Sequence, residues 1–503
     1  MKNAKMGGWG LIPLTALLLA PVTQAEKSGA SKPLRVVIVG GGPTLEYNQA
    51  AIESNVRYVN KLLPPDAIRT TLFADGNPGK ETVLIEDKPA NPLIGDRLLD
   101  LAFYDPDKTD DAVSHYRKPN LGAKLDSAAT PLALTNLFLD LGRELTNAPK
   151  PLFLYFTGHG SAGDRSYANN VYNMWGDTAF STRKLAQQMA HLPENVPVTL
   201  VMVQCHSGGF ANLLYEGGLP DGKPIARDFA GFFASEPDRV AAGCTAETDE
   251  AEYRDFTSYF FAALTGRDRL GRPVTGADYN GDGRVGMDEA FCYTLANDRS
   301  IDTPVCASAF FLRRFAPLTE KELDATPFRS VRTWATAAQR YALDALAKSL
   351  HRETGEDRLR KAADDLGSEA AAAPGPSRRE RKRVLDELRT EAQRYLLARW
   401  PDLRDPALPD FELARTQAAR YLKENAGNAK WKALLAANDA LLRSDAADEA
   451  QEIVEAHLLR FVALGHSIIR AHHLRQSANT AIKVRFERLV QAEAGSPLPP
   501  VSK

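Results

Sequence analysis

Two runs of consecutive apolar, β-branched or aromatic residues, PLFLYFTGHG (151–160) and VPVTLVMVQCHSGGF (196–210), stop abruptly in glycines and small polar residues. An unbroken apolar run of this length suits a strand covered on both faces, as in a parallel sheet. Similar runs predict strands at 34–39 (LRVVIV), 69–73 (RTTLF) and 228–235 (DFAGFFAS). Apolar spacing of three and four residues predicts helices over about 49–63, 131–145 and 181–191, the last with Ser181 as its N-cap. A further helix starts in about 209–215. Strands alternating with helices specify an α/β class, with helices on both faces of a mostly parallel sheet, running over 34–318. From 75 to 130 the periodicity fails, and the chain reads as a long irregular insertion.

Past residue 318 the pattern changes. No strand signal remains, and Ala, Leu, Arg and Glu dominate. Trp334, Ala338, Tyr341 and Ala345 share one helical face, as do Val384, Leu388, Ala392 and Tyr395, and also Val454, Leu458, Phe461 and Ile468. Residues 319–503 therefore read as an α-helical accessory domain, bundle-like, and a candidate surface for a partner protein. A linker (SEAAAAPGPS, 368–377) precedes the basic run Arg378-Arg379-Glu380-Arg381-Lys382-Arg383. That run is read as a solvated helix face, with a site clipped by a basic-specific protease as the sharper alternative.

Composition changes the picture only at the N-terminus. The chain has 503 residues and a formal net charge of −2, which predicts no nucleic-acid affinity and no bulk attraction to membranes. Lys2 and Lys5, however, precede an apolar stretch, LIPLTALLLA, and Thr23-Gln24-Ala25 supplies the small residues of a cleavage site. Residues 1–25 are read as a secretory signal, so the protein is expected to be exported to a periplasmic or extracellular space. The apolar run is shorter than the roughly 20 residues a membrane span needs, and no later segment is apolar enough to span. Export permits disulfides, and of the four cysteines Cys292 and Cys306 are the candidate pair.

The chemistry concentrates at the ends of the two longest apolar runs. A cysteine thiolate is a strong nucleophile once a nearby imidazole lowers its pKa. Histidine is suited to take that proton and return it to a leaving amine. Glycines beside each group let a substrate backbone approach and free N–H groups to bind an oxyanion. His159 follows the first run and Cys205 the second.

FLYFTGHG and LVMVQCHSGG resemble the corresponding strand-end motifs of the caspase/legumain-type cysteine peptidases, the legumain branch most closely, over about residues 34–315. The resemblance implies a caspase-like three-layer domain acting on protein or peptide substrates without an organic cofactor. It implies His159 as general base and acid, Cys205 as nucleophile, and the N–H groups of Gly160 and Cys205 as the oxyanion hole. Some members orient the histidine with an asparagine after the first strand, which maps to Asn48. One departure is His206 directly after Cys205, which could compete for the thiol, bind substrate or be exposed. Substrate choice in the family comes from loops following the nucleophile's strand. Here these carry Glu236 and Asp238, with Asp249, Glu250 and Glu252 further on. Acidic groups in a pocket would favour Arg or Lys before the cut bond, a mixed-charge pocket Asn; these acids read equally as surface charges.

A second motif lies at DYNGDG (278–283) and five residues on, at Glu289. It satisfies the EF-hand loop pattern, with Asp278, Asn280, Asp282, the Arg284 carbonyl and Glu289 as oxygen donors for a structural Ca²⁺. The segment before it does not read as a helix. Other readings of the chain are a serine hydrolase using Ser207, a zinc site using His159, Cys205 and His206, and a non-catalytic scaffold presenting the helical domain. The triple glycine 40–42 lacks the residues that make a phosphate loop.

Overall fold

Buried strands need cover on both faces, and alternate residues decide which cover they meet. The computed structural model describes residues 33–86, 93–103, 114–367 and 376–498. The expected signal segment and most of the 368–377 linker lie outside the described residues. The first half of the chain runs β1 (Arg35–Gly41), α1 (Ala50–Leu62), β2 (Ile68–Phe73), β3 (Val83–Glu86), α2 (Ile94–Phe103), β4 (Ser114–Arg117), α3 (Pro131–Asn147) and β5 (Leu152–Gly158). It continues with β6 (Gly160–Ser161), β7 (Val171–Met174), β8 (Thr178–Ser181), α4 (Thr182–Met189), β9 (Val198–Met202) and β10 (Phe229–Phe233). Then follow α5 (Phe256–Thr265), α6 (Met287–Asn297), β11 (Val305–Cys306) and α7 (Ala307–Phe315). The remainder is helical: α8 (Glu320–Asp324), α9 (Phe328–Trp334), α10 (Ala337–Ser349), α11 (Arg358–Gly367), α12 (Arg378–Arg399), α13 (Phe411–Asn425), α14 (Ala429–Gln476) and α15 (Thr480–Glu493).

Six strands form the central sheet in the order β11-β10-β9-β5-β1-β2, parallel except for β11. Val36, Ile38, Phe153, Tyr155, Val201 and Phe232 face α1, α5, α6 and part of the later helices. Their strand neighbours Val37, Val39, Leu154, Phe156, Leu200 and Phe233 face α3, α4 and α7. This is the expected α/β arrangement with a mostly parallel sheet. Because β2 and β5 flank β1 on opposite sides, the strand order reverses between β1 and β5. In open parallel sheets, the crevice outside the carboxyl ends at such a reversal is where ligands collect.

Where apolar periodicity was weak, the structure adds elements. The 75–130 stretch contains the antiparallel pair β3–β4 and the helix α2. Residues 160–181 form a small antiparallel sheet, β6–β7–β8, beyond the end of β5. Ser181 does cap α4, accepting from the Lys184 N–H. The turn after Cys205 is a run of 3₁₀ helix, Ser207–Leu214.

The helices after 318 share the sheet's own core. Leu343, Leu346, Phe461 and Ile468 join one face, and Leu474, Phe486 and Leu489 join the other. A separate cluster of Leu98, Leu99, Leu385, Leu396, Leu422 and Trp431 gathers α2, α12, α13 and the start of α14 into an outlying lobe. Helix α14 has 48 residues, about 72 Å at about 1.5 Å per residue, and serves both groups. All three predicted stripes shift, the one on α14 only in that Val454 is exposed. Thr336 caps a new helix, separating Trp334 from Ala338, and the buried face of α10 is Ala338, Ala342, Leu343 and Leu346. On α12 the buried residues are Leu385, Ala392 and Leu396, with Val384 and Tyr395 exposed. The Cys292–Cys306 bridge is not formed: all four cysteines are free thiols. Among the described residues no helix is long and apolar enough to cross a membrane.

Because Phe461 is wholly buried against Phe328 and the sheet's core cluster, Phe461→Ala should cost about 3–5 kcal/mol of unfolding free energy, measured by urea denaturation. A chain ended at residue 318 should lose the cooperative transition, since both sheet faces lose apolar cover.

Candidate active site

Strand register sets His159 and Cys205 at the same edge of the central sheet. Strands β5 and β9 are parallel neighbours, paired through Phe156↔Met202. His159 lies three residues beyond Phe156, and Cys205 three residues beyond Met202. They therefore leave the same end of adjacent strands, about 4.8 Å apart, beside the reversal between β1 and β5. The main chains close up further: a Cβ placed on Gly160 would lie 2.2 Å from the Cys205 carbonyl oxygen, so only glycine fits there.

The imidazole is held by the loop after β1. His159 Nε2 lies 2.9 Å from the Tyr47 carbonyl oxygen and 2.9 Å from Gln49 Oε1, and the Tyr47 ring meets the imidazole edge-on at 5.4 Å. A carbonyl accepts only, so Nε2 carries the proton and Nδ1 is the basic nitrogen. The orienting role expected of Asn48 passes to its two neighbours. Asn48 is fully buried, accepts from the Gly42 N–H at 3.0 Å and donates to the Thr82 carbonyl at 2.7 Å. It folds the loop and so places the Tyr47 carbonyl. A Cβ on Gly42 would sit 2.0 Å from that carbonyl oxygen, which explains a glycine run that makes no phosphate loop.

Around the sulfur, Cys205 Sγ accepts from the Ala241 N–H at 3.3 Å and faces the Ala241 carbonyl at 3.6 Å. Burial pushes the Cys205 thiol up from its ordinary value, with the Ala241 contact opposing and Asp302 adding to the rise. Burial also pulls the His159 imidazole down, opposed by the Tyr47 carbonyl. Both shifts favour the neutral form of the group. Cys244 stands close by, its Sγ 3.6 Å from the Gly158 carbonyl, and burial with the nearby Cys205 pushes its thiol strongly up.

His206 does not compete for the thiol. It adopts a left-handed conformation (φ 60°), an uncommon one outside glycine. Its Nδ1 lies 3.1 Å from the Pro237 carbonyl, and its ring stacks on Tyr167. Ser207 is wholly buried and its hydroxyl is spent on Ser235, which removes the serine-hydrolase reading. The acids proposed for substrate selection have other employment. Glu236 takes both oxygens to Arg313, at 2.7 and 2.5 Å, Glu250 pairs with Arg57, and Asp249 caps a short turn. Asp238 is exposed on the same loop.

The 278–289 loop folds around its own oxygens. Asp278 accepts from the Gly281 and Gly283 N–H groups, Asn280 from Asp282, and Asp282 from Arg284. Glu289, buried at the start of α6, accepts from Tyr279, Asn280 and Gly286. The donor set is all oxygen, which suits a hard cation. Among the described residues no three His, Cys, Asp or Glu side chains converge as a metal cluster, and this holds for the acids of 278–289 as for His159, Cys205 and His206.

The contacts that sequence reasoning missed, at Tyr47, Gly42 and Ala241, act through main-chain atoms and close approach. Only the glycine at 42 could have signalled them. Gly42→Ala should displace the Tyr47 carbonyl, moving the His159 pKa (NMR titration of the imidazole) while Cys205→Ala leaves that loop unchanged. No family model matches this chain, and no curated protein matches it.

Proposed function

We propose that this protein is an exported cysteine endopeptidase of caspase/legumain type. The observation that supports the reading is the register that carries His159 and Cys205 on the same ends of adjacent strands, with His159 Nε2 committed to a carbonyl, which leaves Nδ1 as the basic nitrogen. In the proposed reaction Nδ1 takes the Cys205 proton as sulfur attacks the carbonyl carbon of a peptide bond. The N–H groups of Gly160 and Cys205 receive the developing oxyanion. The C–N bond breaks as His159 returns the proton to the amine, leaving a thioester. Water, deprotonated by the same imidazole, then hydrolyses the thioester and restores the thiol.

Cys205→Ala should abolish hydrolysis of fluorogenic peptides carrying Asn, Arg, Lys or Asp before the cut bond. His159→Ala should lower kcat/KM by about 10²–10⁴-fold. Only the neutral imidazole accepts the thiol proton, and burial holds its pKa under the ordinary 6.5. The acid limb of kcat/KM should therefore fall at lower pH than 6.5. Cys205 alkylated by iodoacetamide no faster than a free thiol, with no peptide cleaved, would leave the non-catalytic scaffold as the function.

The same proposal includes calcium at 278–289, held by Asp278, Asn280, Asp282, the Arg284 carbonyl and Glu289, in a structural role. The stacking of Tyr279 on Tyr341 of α10, at 4.5 Å between ring centres, ties this loop to the later helices. Titration calorimetry should give a Kd on the order of 10⁻⁴–10⁻³ M, lost in Glu289→Gln. Absence of heat and of any Tm shift in millimolar calcium would refute it.

A further inference from the structure

The Cys205 sulfur is partly covered, the residue standing between buried and exposed. The chain leaving β10 turns back across the ends of β9 and β5, and residue Ala241 presents both its N–H and its carbonyl to that sulfur, at 3.3 and 3.6 Å. A main-chain N–H and carbonyl beside the nucleophile occupy the ground that a substrate's own main chain would need. The loop is fastened at its ends by Glu236 on Arg313 and by the Thr245 and Ala246 carbonyls, which accept from the Ala51 and Glu86 N–H groups at 3.0 and 2.9 Å, and around Ala241 by three further sets of contacts. Beside the sulfur, the His206 N–H donates to the Arg239 carbonyl at 2.8 Å, and Asn170 donates to the Pro237 carbonyl at 2.7 Å. Next to Ala241, the Ala242 N–H donates to Asp302 at 2.7 Å. From outside, the Arg239 guanidinium pairs with Glu455 of α14.

Helix α14 holds the second contact as well as the third. Arg460, five residues beyond Glu455, is wholly buried and donates to the carbonyls of Asp302 (2.7 Å), Asp298 (2.5 Å) and Ser300 (2.9 Å). It fixes the 298–302 segment whose Asp302 carboxylate grips Ala242. His457 adds a contact to the Asp298 carbonyl at 3.1 Å. Arg460 is interior and permanent. The Arg239–Glu455 pair is different, with side chains 36% and 47% exposed, so solvent and salt compete for it.

We propose that residues 236–246 form a latch over the Cys205 sulfur, and that Arg239 and Glu455 are positioning residues by which α14 keeps it shut. The inference rests on Cys205 being the working nucleophile, and it names the regulation of that site. Substrate or partner must lift Ala241 before sulfur can attack, and anything that loosens Glu455 from Arg239 favours the open form. The ion pair is exposed, so its loss shifts the balance modestly rather than unlatching the loop outright.

The test is the second-order rate of iodoacetamide labelling at Cys205, mapped by mass spectrometry on the full chain at fixed pH. Glu455→Gln and Arg239→Gln should each raise it about two- to fivefold, the scale of an exposed ion pair. The charge-swapped double variant, Arg239→Glu with Glu455→Arg, should bring the rate back toward wild type, which loss of fold would not do. On the unaltered protein, 0.5 M salt should accelerate labelling, and Glu455→Gln should lose that response. Rates unchanged in the single variants and unresponsive to salt would overturn the latch; if a variant misfolds, the wild-type salt response decides alone. Faster labelling without cleavage of any peptide would uphold the latch and refute the peptidase reading, and cleavage with unaltered labelling would do the reverse.

Discussion

The site depends on backbone segments approaching more closely than a side chain permits. Gly160 lies against the Cys205 carbonyl and Gly42 against that of Tyr47, each at a distance no Cβ could share. Such contacts place two strand ends and one loop as a unit, so the imidazole and the thiol inherit their separation from main-chain geometry. Several buried polar groups nearby are satisfied locally, although the amide of Gln204, next to Cys205, has no partner among the described residues. Asn48 is satisfied by Gly42 and Thr82, and Ser207 by Ser235. The antiparallel β3 strand contributes by offering the Leu84 N–H to the Asn48 carbonyl at 2.9 Å. The insertion is thereby part of the support for His159.

The later helices are bound to this centre by a charged side chain in an apolar setting. A guanidinium buried without partners would be strongly unfavourable. Arg460 instead meets the carbonyls of Asp302, Asp298, Ser300 and Leu295 and, at 3.5 Å, the Asp298 carboxylate. Arg227 uses the same chemistry on the far side, donating to the carbonyls of Met189, Leu192, Pro193 and Val196 around the end of α4. Both hold irregular chain in one conformation beside regular elements. Neither would be replaced equivalently by lysine, whose ammonium lacks the planar fork.

The strands were legible because runs such as LFLYF and VTLVM have no polar face, and the helices at 131 and 181 because their apolar spacing and caps agree. His159 and Cys205 were legible as a pair, since both follow such runs directly. The orienter of His159 was not, because a carbonyl can come from any residue and leaves no side-chain signature. Asn48 stood one position away and acts through its neighbours. Glu236 looked available because its partner, Arg313, is distant in sequence and meets it only in the fold. Arg460 reads as a surface residue of an amphipathic helix until the 298–302 segment closes over it. The stripe drawn through Trp334 and Ala338 failed on local chemistry, the Thr336 capping box that starts a new helix between them.

All four sulfurs are thiols, and Cys292 and Cys306 are buried within the apolar interior. The described architecture is therefore held entirely by non-covalent contacts. A strong reductant, which keeps a reactive sulfur from drifting to sulfenic acid or mixed disulfides in storage, removes nothing that these packed layers rely on.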